Sequence, residues 1–268
     1  LYSEYKLVMG ELVNRAVIPA AGLGTRMFPI TKTIPKEMLP VGRKPMIQLA
    51  VEELATSGIR RICIVLRRGK ETIREYLLKY PYSSRQDKSI TELKELVASL
   101  DISFLFQKEP TGLGSALLAA ADFVGEHPFI MLIPDQLVYA TVPATTQLLQ
   151  HHTPNPLAVW SSLVQLPKED VPYFIGSCGF EFEKISQCQV KIKNVLSDEQ
   201  TSLFYKDAQF EIRGIGRTIL PPSILDYLAE EEVKPETGEI DYRRAVGRYS
   251  ESHPHYGVLL EGKPFDLG

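Results

Sequence analysis

Three cysteines in 268 residues, Cys63, Cys178 and Cys188, are few, odd in number and never spaced as Cys-x-x-Cys. That argues against a disulfide framework and against a zinc site. A reducing compartment follows, and the chain reads as cytoplasmic. No apolar run approaches the roughly 20 residues of a membrane helix, and the opening segment, Leu1 to Arg15, carries no signal-peptide core. Charge of one sign is missing too: 30 Lys and Arg stand against 33 Asp and Glu, a net −3. Such a balance gives no sign of a nucleic-acid or membrane partner, so any cationic site must be local. Repeats, low-complexity tracts and flexible linkers are absent. Two familiar phosphate motifs also fail. A Gly-x-Gly-x-x-Gly pattern starting at Gly22 breaks at Met27, and no Gly-Lys-Ser/Thr occurs.

What the chain does have is 44% hydrophobic residues, enough for a sizeable core. Apolar strand-like runs (16–19, 61–66, 102–106, 129–134, 158–163) alternate with amphipathic helical ones (45–57, 71–79, 90–100, 113–123). That alternation predicts an α/β fold, a Rossmann-like, mostly parallel sheet flanked by helices. The polar stretch 80–89 reads as a surface loop. After Pro172 the pattern changes: 179–184 and 189–195 alternate polar and apolar side chains, as half-exposed antiparallel strands do. A small antiparallel β subdomain built over the sheet is expected there.

The stretch Pro19 to Pro40 gathers a glycine-rich turn and three cations behind a buried strand. Ligands bind at the carboxyl ends of strands in such sheets. Gly22 and Gly24 let backbone N–H groups approach phosphate oxygens; Arg26 can fork onto them, and Lys32 and Lys36 add point charges. A second element, Gln107 to Gly114, follows a strand and opens a helix, so that the Gln107 amide can offer both donor and acceptor to a base. Asp135 is the third, a carboxylate at a strand's carboxyl end and a fit for Mg2+, which prefers oxygen ligands. For each element a bland reading stands beside this one: a solvated turn, a surface glutamine, an N-cap.

Gly22-Leu23-Gly24-Thr25-Arg26, Pro35-Lys36-Glu37-Met38-Leu39-Pro40, Gly69-Lys70-Glu71, Gln107 with Gly112-Leu113-Gly114, Ile133-Pro134-Asp135, Gly216-Arg217, Gly238-Glu239-Ile240 and Phe265-Asp266-Leu267-Gly268 stand in the order of one known family. Together they resemble the sugar-phosphate nucleotidyltransferases, and among them the bacterial UTP–glucose-1-phosphate uridylyltransferases. The resemblance implies one domain over 1–268, with a nucleotide-binding part (1–165) and a sugar-binding part (166–268). It implies Arg26 and Lys36 as catalytic cations, and Ala20, Ala21, Gly22, Gly24, Thr25, Gln107 and Gly112 around the nucleotide. Asp135 and Asp266 would hold Mg2+, UTP and a sugar 1-phosphate would be the substrates, and a homo-oligomer is implied because relatives commonly form dimers or tetramers.

Some family positions are altered. Thr111 stands where Lys is expected, Ser115 where His is common, and Asp241 replaces a Gln. The Glu-Lys-Pro that holds sugar hydroxyls and phosphate is missing. Lys193 is the candidate for its lysine, Gly176 and Glu239 for further sugar-phosphate contacts. Three functions are weighed: uridylyl transfer, a nucleotide-sugar-binding regulator, and a dinucleotide oxidoreductase. Met27 and the dense cations oppose the last. His151-His152 and His253-Pro-His255 read as surface or capping residues, and Glu230 to Glu232 as a solvated acidic run.

Overall fold

In the computed structural model, residues 13–80, 87–107, 111–153, 155–234 and 238–268 are described. Thirteen strands appear among them: β1 (Arg15–Pro19), β2 (Pro40–Val41), β3 (Lys44–Pro45), β4 (Arg61–Leu66), β5 (Asp101–Phe106), β6 (Phe129–Leu132), β7 (Gln136–Tyr139), β8 (Val159–Pro167), β9 (Gly179–Lys184), β10 (Gln189–Leu196), β11 (Phe210–Leu220), β12 (His255–Leu259) and β13 (Lys263–Asp266). The helices are α1 (Met46–Thr56), α2 (Glu71–Leu78), α3 (Lys88–Ala98), α4 (Gly112–Ala119), α5 (Ala121–Val124), α6 (Ala144–His151), α7 (Asp198–Phe204), α8 (Ile224–Ala229) and α9 (Tyr242–Ser252).

Nine strands form one sheet in the order β5-β4-β1-β6-β11-β8-β12-β10-β9. The first four run parallel. Their apolar sequences, such as Arg-Ile-Cys-Ile-Val-Leu in β4, suit burial on both faces under helices. Alternation along the strands divides the core in two. Ile18, Ile64, Ile130 and Trp160 face one side with α1, while Val17, Val65, Met131 and Val159 face the other with α4 and α9. Beyond β6 the sheet becomes mixed: β11 is antiparallel to both its neighbours, β12 is parallel to β8, and β10 and β9 close the edge antiparallel. The antiparallel pair foreseen after Pro172 therefore extends the main sheet, and residue 165 falls inside β8.

Three details depart from the sequence reading, and one expectation cannot be compared. The helix expected over 90–100 starts two residues earlier, because Asp87 accepts from Ser89 N and caps it. The helix expected over 113–123 is split at Ala120. Residues 81–86 of the expected loop lie outside the described residues. Glu231 is not solvated: its side chain is 1% exposed and pairs with Arg244 and Arg248.

A buried charge cluster ties the sheet to its helices. Arg217 on β11 is fully buried and forks onto Glu53 of α1 at 2.9 and 2.7 Å, and Thr145 at the start of α6 donates to the same carboxylate. Burial alone raises a carboxyl, but the Arg217 charge and these hydrogen bonds outweigh it and hold Glu53 below its ordinary value.

Candidate active site

The loop after β1 leaves the sheet at Ala20, whose N–H bonds Val65 O at 2.8 Å. Ala20 and Ala21 are buried; Gly22 and Leu23 face outward. Gly24 takes the left-handed conformation at φ 68°, and buried Thr31 donates to its carbonyl at 2.7 Å. That bond folds the loop back on itself and pins its shape. Among the described residues nothing but its chain neighbours lies within 4 Å of a Cβ built on Gly22, which lines the cavity. The cavity is about 710 Å3 and is lined by Ala21, Gly22, Gly24, Thr25, Arg26 and Lys36 on this side. Arg26 donates to Ile175 O at 2.9 Å, which brings the loop bearing Gly176 over the same space.

Lys36 sits on a short 3-10 turn (Lys36–Met38) whose next residue, Glu37, points inward. Glu37 is buried and bonded twice to the ammonium of buried Lys70, at 2.8 and 2.9 Å. Burial raises the Glu37 carboxyl and lowers the Lys70 ammonium, and each partner's charge opposes that shift. This anchor directs Lys36 into the cavity, where its Nζ meets Asp135 Oδ2 at 2.5 Å.

Asp135 follows β6, three residues beyond Leu132. Its carbonyl accepts from Leu267 N at 2.9 Å, and β13 pairs antiparallel with β7, setting Asp266 opposite Gln136. Gln136 links three pieces: its Oε1 accepts from Gly216 N at 2.7 Å, its Nε2 donates to Asp266 Oδ2 at 3.2 Å, and its carbonyl accepts from Arg217. Gly268 donates to Asp266 Oδ1 at 3.1 Å and crosses so close that a Cβ there would fall 2.1 Å from Asp135 Oδ2 and 3.3 Å from Asp266 Oδ1. The two carboxylates thus converge on one point. Burial raises the Asp266 carboxyl, and the charge of Asp135 pushes the same way against pull-back by Gly268, Gln136 and Arg26.

These residues fit a divalent cation. Asp135 Oδ1 is buried with no hydrogen-bond partner among the described residues, and Lys36 pairs with Oδ2 alone, so a cation between the two carboxylates would relieve their remaining repulsion. Among the described residues no third His, Cys, Asp or Glu completes a metal cluster. Such a donor pair suits Mg2+, which keeps waters and takes substrate phosphates.

On the base side, Gln107 is buried, its N–H bonds Leu66 O at 2.7 Å, and its amide nitrogen donates to Ser115 Oγ. Gly112 opens α4 at φ 87°; a Cβ there would meet Glu239 Cβ at 2.8 Å. The demand for glycine at 112 therefore comes from Glu239 and from backbone conformation. Glu239 lines the cavity but does not cap α9; that cap is Asp241, accepting from Arg243 N and Arg244 N at 3.0 and 3.3 Å. Gly176, at φ 89°, lines the cavity.

Lys193 is not brought to the site. It lies half-exposed at a bulge in β10 and faces Glu183 at 3.5 Å, while Val195 presents the cavity face of that strand. The sequence reading missed Lys234 and Arg243, which line the cavity and pair with Asp241 at 2.5 Å and Asp198 at 3.0 Å. His152 ends α6, in keeping with the capping reading, but the burial of His152 and of His255 was not foreseen. Both are buried, and burial pushes them down to about 4 and about 3.

Cations around a glycine loop, set across from converging carboxylates, suit transfer between phosphate esters, and the chain belongs to the nucleotidyl transferase family, whose profile matches residues 15–174. Its relatives are more particular. UTP–glucose-1-phosphate uridylyltransferase of Bacillus subtilis (strain 168) is 34% identical over 267 residues, covering 96% of this chain and 87% of that one. The uridylyltransferase YngB of the same organism is 36% identical, covering 97% and 86%. Among solved structures, a UDP-glucose pyrophosphorylase complexed with UDP-glucose superposes with a TM-score of 0.82 at 27% identity, over 95% of this chain and 93% of that one. No helix among the described residues is long and apolar enough to cross a membrane.

Proposed function

We propose that this chain transfers a uridylyl group from UTP to glucose 1-phosphate, releasing pyrophosphate and UDP-glucose. The observation that carries the reading is that the Gly22–Arg26 loop, Lys36 and Asp135 line one cavity, with the Asp266 carboxylate converging on Asp135 beside Gly268. Most of the nucleotide contacts fall within 1–165 and most of the sugar-side loops within 166–268.

Both reactants are polyanions, so their repulsion must be offset before an oxygen of the sugar phosphate can attack the α-phosphorus. Arg26 and the loop amides hold the β- and γ-phosphates and stabilise the leaving pyrophosphate. Lys36, released from Asp135, neutralises the reacting phosphates. Asp135 and Asp266 would hold Mg2+, which when bound would supply further positive charge to offset the phosphates. Gln107 faces the base and Gly176 the sugar. Attack is direct, so the chain's contribution is positioning and charge. The reaction runs in the cytoplasm.

Formation of UDP-glucose from UTP and glucose 1-phosphate, followed by phosphorus NMR, tests this. Asp135→Ala is expected to abolish it; unchanged turnover in that variant contradicts the assignment. A second reading, nucleotide-sugar binding without turnover, is favoured by the outward-facing Lys193. It would show as stabilisation by UDP-glucose with no product.

A further inference from the structure

The cavity does not stop at the phosphate loop. It continues inward between the sheet and α9, where it is lined by Met131, Thr218, Ser161 and His255 from four neighbouring strands and by Tyr242 and Val246 from α9. All four strand residues are at least 93% buried, so this is a recess into the core face and not a surface groove. Apolar side chains would be the ordinary filling of such a place. Here it holds hydroxyls and an imidazole.

The hydrogen bonds in the recess fix which atom is left over. Ser250 Oγ donates its single proton to Val246 O at 2.7 Å. Its 2.9 Å contact with His255 Nδ1 must therefore be donated by the imidazole, which places the ring proton on Nδ1. Burial keeps His255 uncharged at neutral pH, so Nε2 carries no proton and accepts, at 2.9 Å, from the Ser161 hydroxyl. Ser161 has then spent its proton. Its lone pairs remain, on a residue that lines the cavity. Thr218, the cross-strand partner of Ser161, lines the same recess beside Tyr242. The relay Val246–Ser250–His255–Ser161 thus ends in a hydrogen-bond acceptor at the cavity wall, with no charge to attract or repel an ion. Such a group recognises a neutral donor.

We propose that the recess is a sugar-hydroxyl subsite in which Ser161 Oγ accepts a hydrogen bond from one hydroxyl of the hexose. This rests on the uridylyltransferase reading and deepens it: Ser161 becomes a specificity-determining residue, held as an acceptor by His255 and Ser250. Sugars that lack that hydroxyl, or carry a carboxylate there, are disfavoured.

The test is a cycle between enzyme and ligand. UDP-glucose and its 2-, 3-, 4- and 6-deoxy analogues are titrated calorimetrically into the wild-type protein and Ser161→Ala. One deoxy analogue is expected to bind the wild type about 5- to 30-fold more weakly than UDP-glucose. Ser161→Ala is expected to weaken UDP-glucose by the same factor and to bind that analogue no worse than the wild type does. Equal discrimination by wild type and variant, or failure of the wild type to bind UDP-glucose, overturns the proposal. Melting curves check that the variant is folded; if it is not, Ser161→Cys, which is only modestly larger and weakens the acceptor, runs the same cycle. Binding needs no turnover, so the absence of UDP-glucose synthesis would sink the catalytic reading while this cycle still decides the subsite.

Discussion

Replacing Lys36 with methionine should move metal binding and turnover in opposite directions. The Lys36 ammonium sits 2.5 Å from Asp135 Oδ2, on a carboxylate whose side chain is only 4% exposed. A metal approaching Asp135 must first displace that ammonium. A charge pair at about 4 Å gains on the order of 4 kcal/mol at an effective dielectric of about 20. Desolvation and the 17% exposure of Lys36 offset part of it, leaving the ~1.5–3 kcal/mol usual for hydrogen bonds to charged groups. Lys36→Met removes that competition, so Mg2+ alone should bind the variant about 10- to 100-fold more tightly, as read by calorimetry without nucleotide. Turnover should fall by about 10²–10³, because the cation that neutralises the reacting phosphates is gone. Unchanged or weaker Mg2+ affinity in the variant would refute the reasoning, whatever happened to the rate.

Gly268→Ala should cost at least about tenfold in activity, since its Cβ would lie 2.1 Å from Asp135 Oδ2 and force the carboxylate aside; wild-type kcat would contradict the converging geometry. Glu37→Gln leaves the Lys70 ammonium, 3% exposed, without its counter-charge, and should lose about 3–5 kcal/mol. That corresponds to a melting temperature lower by roughly 6–15 °C in calorimetry, and Glu37→Met with Lys70→Met together should recover much of it. Stability should also fall on acidification. His255 and His152 are held at about 3 and about 4 in the folded state against 6.5 when exposed, so the unfolded chain takes up protons that the native one refuses, and stability present above 6.5 is lost progressively below it. Between pH 7 and pH 5 the two together should remove roughly 3–4 kcal/mol. Lowered Glu53 adds a further loss only below 4.5. Denaturant midpoints that match at pH 7 and pH 5 would contradict the buried neutral imidazoles.

Local patterns in the sequence carried the first half of the fold. β4 and β9 fall on the expected residues because each is a short, regularly patterned run with turns at both ends. Gly22, Gly24, Arg26, Lys36 and Asp135 were legible because they cluster in short motifs, and they share one cavity. Long-range pairing was not legible. Nothing in the local pattern of 189–196 tells that a bulge turns Lys193 outward and Val195 inward. Polar letters misled in the same way: His255 and Glu231 read as surface residues, yet Ser161 and Ser250 satisfy the one and Arg244 and Arg248 the other. Burial of a polar group depends on partners far away in sequence, and a single sequence does not display them.

The most direct measurement is pyrophosphate release from protein incubated with Mg2+, glucose 1-phosphate and, separately, UTP, dTTP, CTP, ATP and GTP. Release with UTP well above the other four is the expected result. Release with none of them from protein that binds UTP, or a clear preference for another nucleotide, would contradict uridylyl transfer to glucose 1-phosphate.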